Sequence, residues 1–520
     1  MGEPASSTKP KSIKQAFVYA FGAALFVIMG VFASAIYLAE AKVRDRDLAE
    51  RSPAVAELFA VKLGKESNLM RAVGRAMMGN AGIEQAFRLR NRQALESQGR
   101  ELFDTLRADH MSCYGYGRKT TPCVDLFAKE ATLFKNAIAA APWTSASIGS
   151  MITGQYPAAI GIELFGSSLK ESVRGMMGPR FVTLAELFRE RNYTTRGIVS
   201  NVHIGSRMGF QQGYEAYEES DARAADYISS PSVTAKAIRF LKEHGGEKFF
   251  LFVHYFDPHY DYILHENYNY FPEYRGRFFS DQQHVDLLKR IPEVLPDDLR
   301  YITALYDSEI SFTDEYIGRL LDTVRKLGLY DDLLIVFVAD HGEEFLERGT
   351  IGHGGTLYQE QVHVPLIVKL PGQKEGRVID EYVGLIDMMT STAAWAGVAM
   401  PRGYEHDGEP IDAGNPASLR GREIVSETTH VDHPAESVTR EGWKLVFDRK
   451  TSAQMLFDLA GDPGELANRT GDSEPERERL HSILRSWDEQ IEPKRPKGKQ
   501  RQPKFSEEQL KDLKSLGYIQ

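Results

Sequence analysis

The chain has 520 residues, 26% of them charged and 42% hydrophobic, the balance of a folded globular protein with more than one small core. Its formal charge of −10 argues against a nucleic-acid partner, which would call for a basic face. Two cysteines, Cys113 and Cys123, exclude a disulfide framework; one bridge or two free thiols both remain open, and no Cys/His zinc spacing occurs.

The first element is apolar. Residues 15–39, "QAFVYAFGAALFVIMGVFASAIYLA", carry no charge, and a membrane helix needs about 20 such residues. Lys9, Lys11 and Lys14 precede it, so residues 1–14 read as a cytoplasmic tail. "ASA" at Ala33 to Ala35 resembles a signal-peptide cleavage site. The run nonetheless exceeds the roughly 7–15 residues of a signal core, and a single-pass membrane anchor is the expectation. Basic residues are nearly balanced across it, but a long C-terminal domain translocates largely regardless of charge. The domain is therefore expected outside the cytoplasm, in a periplasmic or equivalent compartment.

Residues 40–99 are rich in Ala, Arg, Glu and Leu and read as juxtamembrane helices. The charged run "RQALESQGRELF" that leads into Asp104 also reads as helical. From 100 to 390, short apolar runs such as "KFFLFVHYF" and "DLLIVFVAD" alternate with amphipathic stretches such as "TAKAIRFLKEH" and "DEYIGRLLDTVRKLG". That alternation predicts an α/β domain with a mainly parallel sheet flanked by helices. In such sheets functional groups gather beyond the carboxyl ends of the strands. Residues 391–490 hold weaker strands ("EGWKLVFD", "AQMLFDL") and one polar helix, a smaller C-terminal subdomain. Residues 491–520 form a basic, Pro-containing linker and a short terminal helix.

Five stretches carry residue types suited to chemistry. In "LIVFVADHGEEF" a buried strand ends in Asp340 and His341, both able to bind a divalent cation or to cap the next helix. "FVHYFDPHYDY" ends a second strand in His254, Asp257 and His259, with Pro258 stopping the strand. His353 lies among glycines in "GTIGHGGTLYQEQVHVPLIV", where backbone can approach a ligand. In "FDTLRADHMSCYGYGRKTTP", Asp104 offers a carboxylate, and Arg107 and Arg118 offer guanidinium groups matched to sulfate or phosphate oxygens. Thr144 opens "TSASIGSMITG" and is either a capping residue or a nucleophile.

Taken in order, "DTLRADHMSCYGYGRKTTP", "PWTSASIGSMITGQYP", "VHYFDPH", "YDSEISFTDEYIGRLL", "VADHGEEF", "GHGGTLYQEQVHVPLIV" and "FDLAGDPGELAN" resemble the motifs of the sulfatase family of the alkaline-phosphatase superfamily. The resemblance implies an alkaline-phosphatase-like mixed sheet. It makes Asp104, Asp340 and His341 metal ligands, Thr144 the nucleophile, and His259 and His353 contacts of the anion or leaving group. The cofactor implied is a divalent ion: Ca, Mg or Mn, or Zn if a further His joins.

The chain departs from the family where sulfatases carry Cys-x-Pro-x-Arg. It has Thr144, Ser145, Ala146, Ser147 and Ile148, so no formylglycine can form. Relatives with Thr there resemble phosphodiesterases, phosphonate hydrolases and phosphoethanolamine transferases. Ala158 and Ala159 stand where the family often has basic groups, and the apolar strand usual before Asp104 is not apparent. The expected function is hydrolysis (or transfer) of sulfate or phosphate-type esters, small-molecule, glycan or lipid, through Thr144. A degenerate binding protein and a lipid-linked phosphoethanolamine-type transferase are the alternatives. Aromatics in "DYILHENYNYFPEYRGRFF" either stack on a sugar or cover the cleft.

Overall fold

Two segments, "FFLFVHY" and "LLIVFVA", are buried at every position, and this continuous burial is what a strand covered on both faces requires. They are central strands of a computed structural model that describes residues 97–497, apart from 165–172, 223–227, 260, 281–290, 292–293 and 432. The chain divides after Arg92, and every described residue belongs to the second unit, 93–520. The apolar run 15–39, most of the segment 40–99 and the terminal residues 498–520 lie outside the described residues. Among the described residues no helix is long and apolar enough to cross a membrane.

The strands are β1 (Ser97–Phe103), β2 (Thr132–Ile138), a short pair β3 (Glu163–Leu164) and β4 (Val173–Arg174), β5 (Thr194–Ile198) and β6 (Ala216–Glu218). They continue as β7 (Phe249–Tyr255), β8 (Leu333–Ala339), a second short pair β9 (Glu344–Phe345) and β10 (Ile351–Gly352), β11 (His363–Lys369) and β12 (Arg377–Gly384). Eight of them form one mixed sheet in the order β12-β2-β11-β8-β1-β7-β5-β6. Only β11 runs against its neighbours; the other pairings are parallel. The mixed, mainly parallel α/β architecture expected from the alternating pattern is present.

The helical reading of "RQALESQGRELF" is corrected: Ser97–Phe103 is β1, at the centre of the sheet. Two fully buried strands flank it in parallel register, Phe103 lying opposite Tyr255 on one side and Ala339 on the other. Backbone pairing on both edges outweighs the weak local preference of a charged segment. The Phe103 ring packs between Phe337, at a centroid distance of 5.0 Å, and Tyr255, at 5.9 Å.

Helices Ser230–His244 and Pro296–Lys326 pack against each other, the first also lying on β7. The aromatic stretch after Tyr262 lies along the longer helix. Tyr268 donates to Glu315 (2.8 Å), Tyr274 donates to Asp298 (2.6 Å), Tyr270 bonds Ser311 (2.8 Å), and the His265 ring stacks on Phe312 at 3.7 Å. The helix thus satisfies the hydroxyls of Tyr268, Tyr270 and Tyr274. Cys113 and Cys123 are free thiols.

A second, antiparallel sheet joins β13 (Ile424–Glu427), β14 (Ala435–Arg440), β15 (Trp443–Asp448) and β16 (Gln454–Asp458) in sequence order. Helix Glu474–Ile491 lays Leu480, Leu484, Trp487 and Ile491, one face at helical spacing, over Val438, Leu445 and Leu456. A buried ion pair ties this layer to the loop before β11. Lys444 meets Glu465 at 2.8 Å and donates to the Leu357 carbonyl, while Glu465 accepts from the Gln359 amide at 2.6 Å. Replacing Lys444 by Met leaves a buried carboxylate uncompensated and should cost about 3–5 kcal/mol. Lys444→Met with Glu465→Leu should recover most of that loss, both read as shifts of the urea midpoint.

Candidate active site

Strands β8, β1, β7 and β5 are consecutive in the sheet and point the same way, so their carboxyl ends lie side by side. Asp340 and His341 follow β8, Asp104 follows β1, His254 stands near the end of β7, and Asn201 lies just past β5. The ladder continues one step beyond the strands: the Asp340 amide donates to the Phe103 carbonyl (3.2 Å) and the Asp104 amide to the Tyr255 carbonyl (3.0 Å). Both carboxylates therefore leave a rigid edge.

Thr144 comes from the connection after β2, as the first residue of the fully buried helix Thr144–Thr153. Two neighbouring hydroxyls lock that turn: Ser145 donates to the His203 carbonyl (2.7 Å) and Ser147 to the Asp340 carbonyl (2.7 Å). The Trp143 indole, buried before them, donates to Thr429 at 2.8 Å. The Thr144 hydroxyl makes no cap. It lies 3.3 Å from Asp104 Oδ1, 3.3 Å from His341 Nε2 and 3.5 Å from Asn201 Nδ2. Of the two readings open from sequence, the capping one does not hold.

One ligand atom each from Asp104, Asp340 and His341 lies within 4.8 Å of the others, and all three residues are buried. His341 Nδ1 sits 2.9 Å from the Gly342 carbonyl, which can only accept, so Nδ1 carries the hydrogen. That leaves the Nε2 lone pair facing Asp104 Oδ1 and Asp340 Oδ2, each 3.5 Å away. Asp340 Oδ1 accepts from the His341 amide (2.9 Å) and the Thr105 amide (3.3 Å), while Oδ2 is buried without a hydrogen-bond partner. Burial pushes Asp104 up to about 7, against the pull of Asn201 and Thr144. Burial first, and then the charge of Asp104, pushes Asp340 well above the usual carboxylate range. Two buried carboxylates, an orphaned oxygen and an imidazole lone pair make a donor set that fits a divalent cation.

More imidazoles line the same space. The His353 ring lies 4.4 Å from that of His341 and 4.9 Å from that of His259, which stacks on Phe256 at 4.4 Å. Burial lowers His203, His254 and His353 to about 3, so they stand neutral. The geometry thus brings together Asp104, Thr144, His259, Asp340, His341 and His353.

Arg107 and Arg118, expected to bind the anion, are each paired with carboxylates. Arg107 makes a fork to Asp109 (2.9 and 2.8 Å) and reaches Glu347 (2.6 Å) and the Glu343 carbonyl (2.9 Å). Arg118 is paired with the fully buried Asp307 at 2.5 Å, which Tyr116 and His110 also contact, each at 2.7 Å. The guanidinium groups neutralise carboxylates of the fold. Ile148 is core, and Ala158 and Ala159 are buried in a short helix beside Glu427.

Asn201 and Glu343 escape the sequence reading as site residues, and His254, singled out there at a strand end, is given no role in it. Asn201 donates to Asp104 Oδ2 at 2.5 Å, and His254 Nε2 lies 3.6 Å from the same oxygen. Their only sequence signal is a place at the carboxyl end of an apolar run. Thr105 has φ 53°, a conformation that costs a β-branched residue roughly 1–3 kcal/mol. It is held there by its amide on Asp340 and its hydroxyl on the Pro258 carbonyl (2.8 Å). Gly342 is required because a Cβ would stand 2.1 Å from the Glu360 carbonyl.

This sheet, with a buried hydroxyl facing carboxylates and imidazoles at its carboxyl edge, defines a hydrolase of the alkaline-phosphatase superfamily. Within it the chain belongs to the Sulfatase family, whose model matches residues 102–398. It is 24% identical over 416 residues to the endo-4-O-sulfatase of Bacteroides thetaiotaomicron, covering 67% of this chain and 80% of that protein. It is 25% identical over 293 residues to the multifunctional alkaline phosphatase superfamily protein PehA of Trinickia caryophylli, spanning 48% of this chain and only 56% of that protein. The phosphonate monoester hydrolase of Agrobacterium radiobacter shares the fold with a TM-score of 0.60 and 19% identity, over 76% of this chain and 96% of that one.

Asp340→Ala should abolish tight binding of a divalent cation, and Asn201→Ala should weaken it roughly 10–100-fold by releasing Asp104. Metal content after dialysis and calorimetric titration with Mn²⁺ and Ca²⁺ measure both.

Proposed function

We propose that the protein hydrolyses sulfate or phosphate-type esters through Thr144, with Asp104, Asp340 and His341 holding a divalent cation. The observation that carries this reading is the Thr144 hydroxyl at 3.3 Å from both Asp104 and His341. A threonine hydroxyl is a weak nucleophile at neutral pH, and a bound divalent cation supplies the lowered pKa and the charge neutralisation that the reaction needs. The rest is the work of the chain. Thr144 Oγ attacks sulfur or phosphorus, the alcohol leaves, and a covalent Thr ester forms. Water then hydrolyses that ester and frees Thr144. His259 and His353 contact the anion and protonate the leaving oxygen. The rigid strand edge and the locked helix start hold the hydroxyl in place before substrate arrives.

Sulfate esters head the substrate list because an endo-4-O-sulfatase is among the relatives. Phosphonate and phosphate esters follow because Thr144 replaces the usual Cys. Mn, Mg and Ca suit two carboxylates and one imidazole, and His254 beside Asp104 keeps Zn in the set. Residues 15–39 would tether the enzyme to a membrane, with the catalytic domain on the extracytoplasmic side, facing glycan, lipid or small-molecule esters.

A second reading, a degenerate binding protein, is favoured by Ile148, Ala158 and Ala159 and by the pairing of Arg107 and Arg118 with carboxylates. Its other support, a missing strand before Asp104, falls with β1 in place.

Wild-type protein should turn over 4-nitrophenyl sulfate or phenylphosphonate 4-nitrophenyl ester, and Thr144→Ala should lower kcat on the order of 10³-fold or more. Equal rates in the two proteins would remove Thr144 from the mechanism. Absence of turnover together with absence of a bound metal would favour the binding protein.

A further inference from the structure

We propose that Glu343, backed by Tyr262, is a positioning residue that holds His353 as its Nδ1–H tautomer, so that His353 Nε2 is the atom that carries the proton to the leaving oxygen. This rests on the hydrolase reading above and assigns a role within it.

His353 Nδ1 lies 2.9 Å from one oxygen of Glu343, and the two side chains are 1% and 0% exposed. Tyr262 donates its hydroxyl to the other oxygen at 3.0 Å. The backbone is fixed as well. The Glu343 carbonyl accepts from Arg107 at 2.9 Å, and the preceding Gly342 packs too closely on Glu360 for any Cβ. Tyr262 is itself held by rings, with Tyr306 at 5.6 Å and Phe345 at 5.8 Å. The dyad cannot rotate away without breaking these contacts.

A carboxylate receiving Nδ1–H does two things to an imidazole. It leaves Nε2, on the opposite edge of the ring, as the basic nitrogen, and it stabilises the imidazolium formed when Nε2 takes a proton. The ring stands against His341, whose Nε2 touches the Thr144 hydroxyl. The proton then cycles without loss. His353 Nε2, bare at rest, takes up the proton that the Thr144 hydroxyl loses, and the new bond from Oγ to sulfur or phosphorus forms as the bond to the bridging oxygen breaks. The His353 Nε2–H bond breaks as that oxygen gains its hydrogen. In the second half, water gives a proton to Nε2 as it attacks the Thr ester, the bond from sulfur or phosphorus to Oγ breaks, and the proton passes from Nε2 back to Thr144, leaving the hydroxyl and the neutral ring as they began.

The test uses full-length protein labelled with ¹⁵N-histidine, with the His353 signals assigned by their loss in His353→Gln. The expected spectrum shows a protonated Nδ1 in wild type, retained in Glu343→Gln, which keeps an acceptor oxygen, and lost in Glu343→Ala. A wild-type His353 protonated only at Nε2, as it would be if Glu343 held the proton, overturns the proposal. So does a spectrum unchanged in Glu343→Ala. This arm does not depend on turnover. The kinetic arm compares esters of good and poor leaving groups. Glu343→Ala should cost about 100-fold in kcat on an alkyl ester and little on a 4-nitrophenyl ester. An equal loss on both would mark Glu343 as merely structural, whereas a failure of Thr144→Ala to affect either ester would sink the hydrolase reading instead.

Discussion

The pairing of β1 between β7 and β8 is the constraint on which the site depends. Parallel strands in adjacent register deliver their carboxyl ends to one line, and Asp104, Asp340 and His254 reach that line only because these three strands are neighbours. The backbone hydrogen bonds that carry the ladder one residue further make Asp104 and Asp340 part of the rigid sheet edge. Thr144 is brought to the same place independently, by a buried helix whose first turn is tied to the backbone of Asp340 and His203.

That arrangement is costly in isolation. Two carboxylates are buried close to one another, one oxygen of Asp340 is unsatisfied, and Thr105 is held at a positive φ. Each feature lowers stability by an amount on the order of 1 kcal/mol or more. They occur together because they aim oxygen and nitrogen lone pairs at one point, and a cation at that point would relieve the electrostatic part of the strain. The arginines nearby do not perform this task, since Arg107 and Arg118 are already matched to Asp109, Glu347 and Asp307.

Around this centre the protein places neutral imidazoles instead of fixed cations. Burial keeps His203, His254 and His353 uncharged. Neutral imidazoles can give and take protons and can accept a metal, and they do not compete with a divalent ion by charge. Glu343 and Tyr262 provide the one carboxylate-backed ring among them that the described residues record with a hydrogen bond below 3.0 Å. The aromatic stretch after Tyr262 has its hydroxyls bonded to the Pro296–Lys326 helix and packs along it.

Much of this was legible in the linear chain. The apolar runs ending in "ADH" and "HYFDPH" announce buried parallel strands, and the ordered motifs around Asp104, Thr144, Asp340, His341 and His353 identify the family and its cluster. A strand buried on both faces has no choice of composition, so its signal survives in one dimension. β1 left no such signal, because it is specified by the strands on either side of it and not by its own residues. The partners of Arg107 and Arg118, and the inclusion of Asn201 and Glu343, were likewise decided only by the tertiary structure. A guanidinium pairs with whichever carboxylate the fold brings within reach, and contacts between residues far apart in the chain, such as Asn201 with Asp104 and Arg118 with Asp307, leave no trace in local spacing.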